Sequence, residues 1–344
     1  MSGTVLVTGG SGYIAGYTIR QLIAEGWTVR TTVRSMTREA ELRGLLSVDN
    51  TRLSFHEADL ENDAGWAEAV AGCTHVAHIA SPFPGGGVRD PQDLIRPARD
   101  GVLRALRFAH DAGVRRFVMT SSSAAIAYGH VPDREIYTEA DWTNPDYPGT
   151  PAYTQSKTIA ERAARDWIKA EGRGYDGTKM EFCTVNPVMV CGPVMSADYS
   201  TSVMLIEKIL SGSLGGAPDF GFGVVDVRDV ADIHVRALLA DNMAGERLIA
   251  SGPFLKIVEI AHILKERLGP QGRKIATRKI PDFLIRFAAL FSPTVAQVTG
   301  ELGKTRNMDA SHARDVLGWV PRPVEETLVD CARSLIEHGI VRVN

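Results

Sequence analysis

The sequence predicts an α/β protein: a doubly wound parallel sheet carrying a smaller C-terminal lobe. Three observations predict it. The first half alternates short β-branched runs with helical stretches, a glycine-rich turn follows the first run directly, and the texture changes beyond residue 190. Strand–helix alternation at this spacing implies right-handed βαβ crossovers and a sheet covered on both faces.

The predicted strands of the first half are 4–8, 28–33, 52–56, 74–79 and 116–121, with helices near 13–25, 37–46, 63–71 and 91–112. The last of these has a capping aspartate (Asp90), proline at its first position (Pro91) and a terminating glycine, Gly113. A helix over 152–171 leads to a strand at 180–186 that ends at Asn186-Pro187. Beyond it, Gly/Ser/Pro-rich stretches at 191–200 and 211–223 alternate with short helices. A helix near 228–240, a strand near 246–250 and a helix near 256–268 follow. Segment 292–308 is poorly periodic, and the tail holds helices near 309–316 and 323–338. The expected division is 1–190 for the sheet domain and 191–344 for a mainly substrate-binding lobe, with the unit near 224–250 returning to the sheet.

Composition excludes several classes. Lys and Arg number 38 against 41 Asp and Glu, a net charge of −3, so neither nucleic acid nor an anionic membrane is expected as a partner. No apolar run is long enough to span a bilayer, and the N-terminus has no basic leader, so a cytoplasmic location is expected. Cys73, Cys183, Cys191 and Cys331 lie far apart among apolar neighbours and read as free, buried thiols. His75 and His78 sit on a strand-like run, and no metal site is expected.

The turn reads Thr8-Gly9-Gly10-Ser11-Gly12-Tyr13-Ile14-Ala15-Gly16. Glycines between a first strand and the helix it feeds allow a tight turn and let the backbone approach a pyrophosphate at the helix N-terminus. Gly9, Gly12, Tyr13 and Ile14 are therefore candidate dinucleotide contacts. At the end of the second strand, where the adenosine ribose would lie, the chain reads Val33-Arg34-Ser35, with no carboxylate before Glu39. An arginine there suits a 2′-phosphate, which points to NADPH, with Arg38 as a second candidate. Asp59 and Leu60 close the third strand and Ala80 follows the fourth; all three join the candidate cofactor contacts.

Tyr153 and Lys157 form a YxxxK at the start of a predicted helix, so they share one helical face. The positive charge is expected to lower the phenol toward neutrality and to reach the nicotinamide ribose. Eight Tyr and nine Lys give about 0.2 chance matches to this spacing, and a second copy, Tyr175 and Lys179, does occur. That copy is interrupted by Gly177 and is assigned to a loop. The helical copy follows a strand ending in Thr120-Ser121-Ser122-Ser123, and Ser122 is expected to hold a substrate carbonyl beside Tyr153.

These residues, with Asn186-Pro187, resemble an extended short-chain dehydrogenase/reductase. Within that superfamily the chain is most similar to the dihydroflavonol 4-reductase-like branch, through "VRTTVRS", "AGCTHVAHIASPF", "RRFVMTSSSAA" and "YTQSKTIAE". The resemblance implies a Rossmann-type fold, a Ser122–Tyr153–Lys157 triad, NADPH as cofactor and Pro187 near the nicotinamide. Ala127 stands where plant dihydroflavonol reductases place a polar residue that contacts flavonoid hydroxyls, which argues against a flavonoid. Phe83, Tyr128, Tyr137, Trp142, Tyr147, Tyr199, Phe220 and Phe222 favour an apolar or aromatic carbonyl compound over a sugar nucleotide. The alternatives are an NAD-retaining nucleotide-sugar epimerase or dehydratase and a non-catalytic NADP sensor. The helices at 91–112 and 152–171 are candidates to pair across a homodimer.

Overall fold

The computed structural model describes residues 3–82, 90–171, 179–197, 199–296 and 298–342. Its main sheet has seven parallel strands: β1 (Thr4–Val7), β2 (Thr28–Val33), β3 (Leu53–Glu57), β4 (His75–His78), β5 (Arg116–Thr120), β7 (Glu181–Pro187) and β10 (Arg247–Ala250). The short β6 (Ile136–Tyr137) lies between β5 and β7 in the chain. The order across the sheet is β3-β2-β1-β4-β5-β7-β10, so the winding reverses between β1 and β4. Open α/β sheets bind ligands at that reversal, outside the carboxyl ends of the strands.

Both faces are covered, which explains why β1 reads as an unbroken apolar run. Val5 and Val7 enter one core with α1 (Tyr13–Ala24), α2 (Glu39–Leu46) and α7 (Val227–Leu239). Leu6 points the other way, into a core with α3 (Trp66–Val70), α4 (Gln92–Asp111) and α5 (Ala152–Glu171). Asp90 accepts from the Gln92 amide at 2.9 Å where α4 begins, and Gly113 has a φ of +75° just past its end.

The chain leaves the sheet after β7, returns through α7 and β10, and leaves again. The lobe is built on a three-stranded sheet of β8 (Met189–Cys191), β9 (Gly221–Asp226) and β11 (Phe254–Lys256). Against it pack α6 (Thr201–Ser211), α8 (Ile257–Leu268) and, beyond α9 (Asp282–Ala289), α10 (Pro293–Ala296) and α11 (Ser311–Leu317), the last helix α12 (Val324–Glu337). The segment expected to be irregular holds α10 and the two-residue β12 (Asn307–Met308), which pairs with β6. All four cysteines are free and buried. Among the described residues no helix is long and apolar enough to cross a membrane.

Candidate active site

The glycine turn is built by close approach. Gly9 has a φ of +75°, and a Cβ there would lie 3.1 Å from both Cα and Cβ of Ala80. The Gly9 amide donates to Thr32 Oγ1 at 2.9 Å and the Gly10 amide to the Thr32 carbonyl at 2.8 Å. Gly10 is also required, because a Cβ would meet Thr31 Oγ1 at 2.3 Å. The Thr8 hydroxyl accepts from the Ile79 and Ala80 amides, each at 3.0 Å, and lies 3.1 Å from His78 Nδ1. Burial pushes His78 down to about 3, so the ring is neutral and Thr8 spends its proton on Nδ1. This ties the ends of β1 and β4 into one rigid crevice.

Gly12 precedes α1 in extended backbone and offers no side-chain cap. The first-turn amides of Tyr13, Ile14 and Ala15 therefore have no intrahelical acceptor and face the turn as anion donors. The Tyr13 hydroxyl donates to the Gly192 carbonyl at 2.7 Å, and the Tyr17 hydroxyl to that of Pro193 at 2.9 Å. The Tyr13 ring thus joins α1 to the lobe, leaving its amide for a ligand. Arg34 is exposed just past β2 and makes no hydrogen bond or ion pair to any described residue. Arg38 is held by Glu41 through bonds of 3.0 and 2.9 Å, so the second arginine is already paired. Asp59 Oδ1 accepts from the Glu61 amide at 2.9 Å, and the Leu60 carbonyl accepts from Arg104. A positive-φ turn against Ala80, uncapped amides and an unpaired guanidinium fit a dinucleotide phosphate with a 2′-phosphate at its far end.

The three residues expected to form a triad lie at the end of β5 and on α5. Ser122 follows β5; its Oγ accepts from the Ala124 amide at 3.1 Å, and it lies near enough to Tyr153 to pull the phenol down. Tyr153 and Lys157 lie one turn apart on α5, with Lys157 Nζ 5.9 Å from the Tyr153 ring centroid. Burial lowers Lys157 to about 8, against an opposing pull from Glu161. The expected lowering of the phenol is not what the site shows. Burial raises Tyr153, because the phenolate loses more solvation than its neighbours return, and nearby Ser122 offsets this in part. A raised phenol stays protonated at neutral pH, the form an acid must have before it acts. Pro187 lies at the buried end of β7. In the second YxxxK, Tyr175 lies outside the described residues, and Lys179 is not on a helix.

Some aromatics expected to line a substrate cleft serve the fold instead. Tyr137 is fully buried and Phe220 nearly so, in two different cores. Trp142 is stacked by Arg247 at 3.8 Å, with Arg162 at 5.1 Å, and the Tyr199 hydroxyl donates to Glu207 at 2.9 Å. Phe83 lies outside the described residues. Tyr128 is half-buried beneath the Arg306 guanidinium, 4.4 Å from its centroid, and is pushed up to about 12 by burial, with Glu301 adding to the shift. Sequence reasoning missed Arg306, which reaches back from the tail to the Ala127 carbonyl at 2.9 Å. It also missed Glu161, whose signal was its place four residues after Lys157.

Residues 5–249 match the model of the NAD dependent epimerase/dehydratase family. Cinnamoyl-CoA reductase 1 of Petunia hybrida is 32% identical over 341 residues, covering 97% of this chain and 92% of that protein. Dihydroflavonol 4-reductase of Zea mays is 29% identical over 277 residues, covering 77% and 74%. The yeast methylglyoxal/isovaleraldehyde reductase Gre2, solved with NADPH, superimposes with a TM-score of 0.80 at 25% identity, covering 98% of this chain and all of that one. The chain belongs to the NAD dependent epimerase/dehydratase family and, within it, is an NADPH-dependent oxidoreductase of the extended short-chain dehydrogenase/reductase type, related to the plant dihydroflavonol and cinnamoyl-CoA reductases.

Proposed function

We propose that the protein reduces an apolar or aromatic ketone or aldehyde to the alcohol, with Tyr153 as general acid. The observation that carries this reading is the gathering of Tyr153 and buried Lys157 on one face of α5, with Ser122 beside the phenol at the end of β5. NADPH, when bound, supplies the hydride. Gly9, Gly12 and the amides of Tyr13 and Ile14 would hold its pyrophosphate and Arg34 its 2′-phosphate. Asp59 and Leu60 would meet the adenine, Ala80 and Pro187 would flank the nicotinamide end, and Lys157 would meet the adjoining ribose.

The chain's own residues manage one proton. The Tyr153 O–H bond breaks as the substrate oxygen takes the proton, and the electron pair stays on the phenolate. The Lys157 ammonium stabilises that phenolate, and Ser122 hydrogen-bonds the same oxygens through the transfer. Lys157 must be charged for this, so turnover falls as pH rises through about 8. The half-buried Tyr128 and partly exposed Phe222 support a low-polarity substrate, and four buried, free thiols support a reducing, cytoplasmic location. A panel of aldehydes and ketones, followed by the absorbance of reduced nicotinamide, tests the reading. Steady NADPH consumption with an apolar carbonyl compound is expected. A cofactor that stays bound and unconsumed while a nucleotide sugar is interconverted would replace this reading with the epimerase one.

A further inference from the structure

We propose that Glu161 is a positioning residue for the triad: its buried carboxylate turns Ser121 away from the reaction site, fixes Ser122 through Asn186, and supplies the counter-charge for the Lys157 ammonium. The proposal rests on the reductase reading of Tyr153 and Lys157. Glu161 lies one turn beyond Lys157 on α5 and is fully buried. A carboxylate in that position must have its oxygens filled by donors, and each donor belongs to an element that shapes the site. Oε2 accepts from Ser121 Oγ at 2.6 Å and from Asn186 Nδ2 at 2.9 Å. The same Asn186 amide group donates to the Ser122 carbonyl at 3.2 Å. Of the two adjacent serines, Ser121 is thus captured behind the strand end, and Ser122 is left pointing at Tyr153.

Oε1 accepts from Arg247 Nε at 2.7 Å, Arg165 Nε at 3.1 Å and Thr184 Oγ1 at 3.2 Å. Arg247 also donates to the carbonyls of Glu139 at 2.6 Å and Asp141 at 2.7 Å, pinning the loop that leads to Tyr153. The charge balance decides the role. Arg165 and Arg247 bond the carboxylate directly, and Lys157 feels its charge from one helical turn away. Nearby, His78 on β4 is lowered to about 3, His234 on α7 to about 4, Cys183 on β7 is raised to about 12 and Tyr153 is raised as well, while the surrounding carboxylates have partners of their own: Glu246 holds His312, Asp141 holds Arg134, Glu181 holds Arg116 and Glu139 accepts from the Ile249 amide. Without Glu161, buried Arg247 and half-buried Arg165 would lose the carboxylate they share and Lys157 the counter-charge one turn away, and the lysine is the one that can shed its proton at moderate pH.

The test measures kcat against pH and, independently of turnover, the 13Cε shift of Lys157 in protein labelled at its nine lysines. Glu161→Gln keeps the side chain's shape and removes its charge. It is expected to lower kcat at least about 10-fold and to move both the alkaline limb and the Lys157 titration down by about one pH unit. Arg165→Gln removes a cation instead and is expected to move both upward, which also serves should Glu161→Gln fail to fold. A folded Glu161→Gln with an unmoved Lys157 titration overturns the proposal, as does an Arg165→Gln shift that is absent or downward. Wild-type protein without carbonyl-dependent NADPH oxidation would sink the reductase reading, while the lysine titration would still judge Glu161.

Discussion

Two buried carboxylates, Glu161 and Asp226, gather arginines in different halves of the molecule, and their remaining contacts separate their roles. Asp226 ends β9 and caps α7, accepting from the Arg228 amide at 2.8 Å and from its guanidinium at 2.9 and 2.8 Å. Arg228 then reaches Asp330 on α12 at 2.8 Å, and Arg322 joins Asp229 at 2.9 Å. Four carboxylates there, Asp226, Asp229, Glu326 and Asp330, surround two half-buried arginines, and the bonds tie β9, α7 and α12 together. That cluster latches the lobe to the sheet. Around Glu161 the balance is reversed, with cations in excess, and the donors include the serine that precedes Ser122 and the asparagine that holds it. The same pair of residue types acts as a latch where its contacts end in structure and as a positioning device where they end at the triad.

The largest effect that sharpens this contrast is at the triad itself. Tyr153→Phe removes the proton donor and is expected to lower kcat by about 10²- to 10⁴-fold with NADPH affinity retained, checked by steady-state rates and cofactor titration. Next, Arg34→Glu is expected to raise the KM for NADPH by about 10- to 100-fold and to favour NADH, since a charge-assisted contact contributes about 1.5–3 kcal/mol. Smaller still, Asp226→Asn is expected to cost about 1–3 kcal/mol of stability in denaturant unfolding. It should leave the alkaline limb of kcat in place. A limb that moved with Asp226 would erase the distinction between latch and positioning residue.

Much of this was legible in the sequence. The strands β1 to β5 and helices α1, α4 and α5 stand where periodicity and caps put them, and Tyr153 and Lys157 share one face of α5, as their spacing implied. The lobe was harder to read, because β8 and β11 are three residues long and form only through distant pairing. Within β9, Gly221 and Gly223 read as loop signals. They are instead required by close packing, since a Cβ on Gly221 would meet the Leu255 carbonyl oxygen at 2.2 Å and one on Gly223 would meet Val188 at 2.9 Å. Glu161 was hidden for a related reason. A Glu four residues before an Arg on a helix reads as a solvated surface pair. Its burial is imposed by β7 and β10, which come later in the chain. The direction of the Tyr153 shift was missed likewise, because spacing reports a neighbouring charge and says nothing of desolvation.

The most direct test of the reductase account is an isotope measurement. Wild-type protein would be given an apolar aldehyde or ketone with NADPH deuterated at both C4 positions, and the alcohol analysed by mass spectrometry. The account predicts one deuterium on the carbinol carbon and stoichiometric NADP+. An alcohol without deuterium, or an untouched carbonyl across the whole panel with NADPH unconsumed, would contradict it.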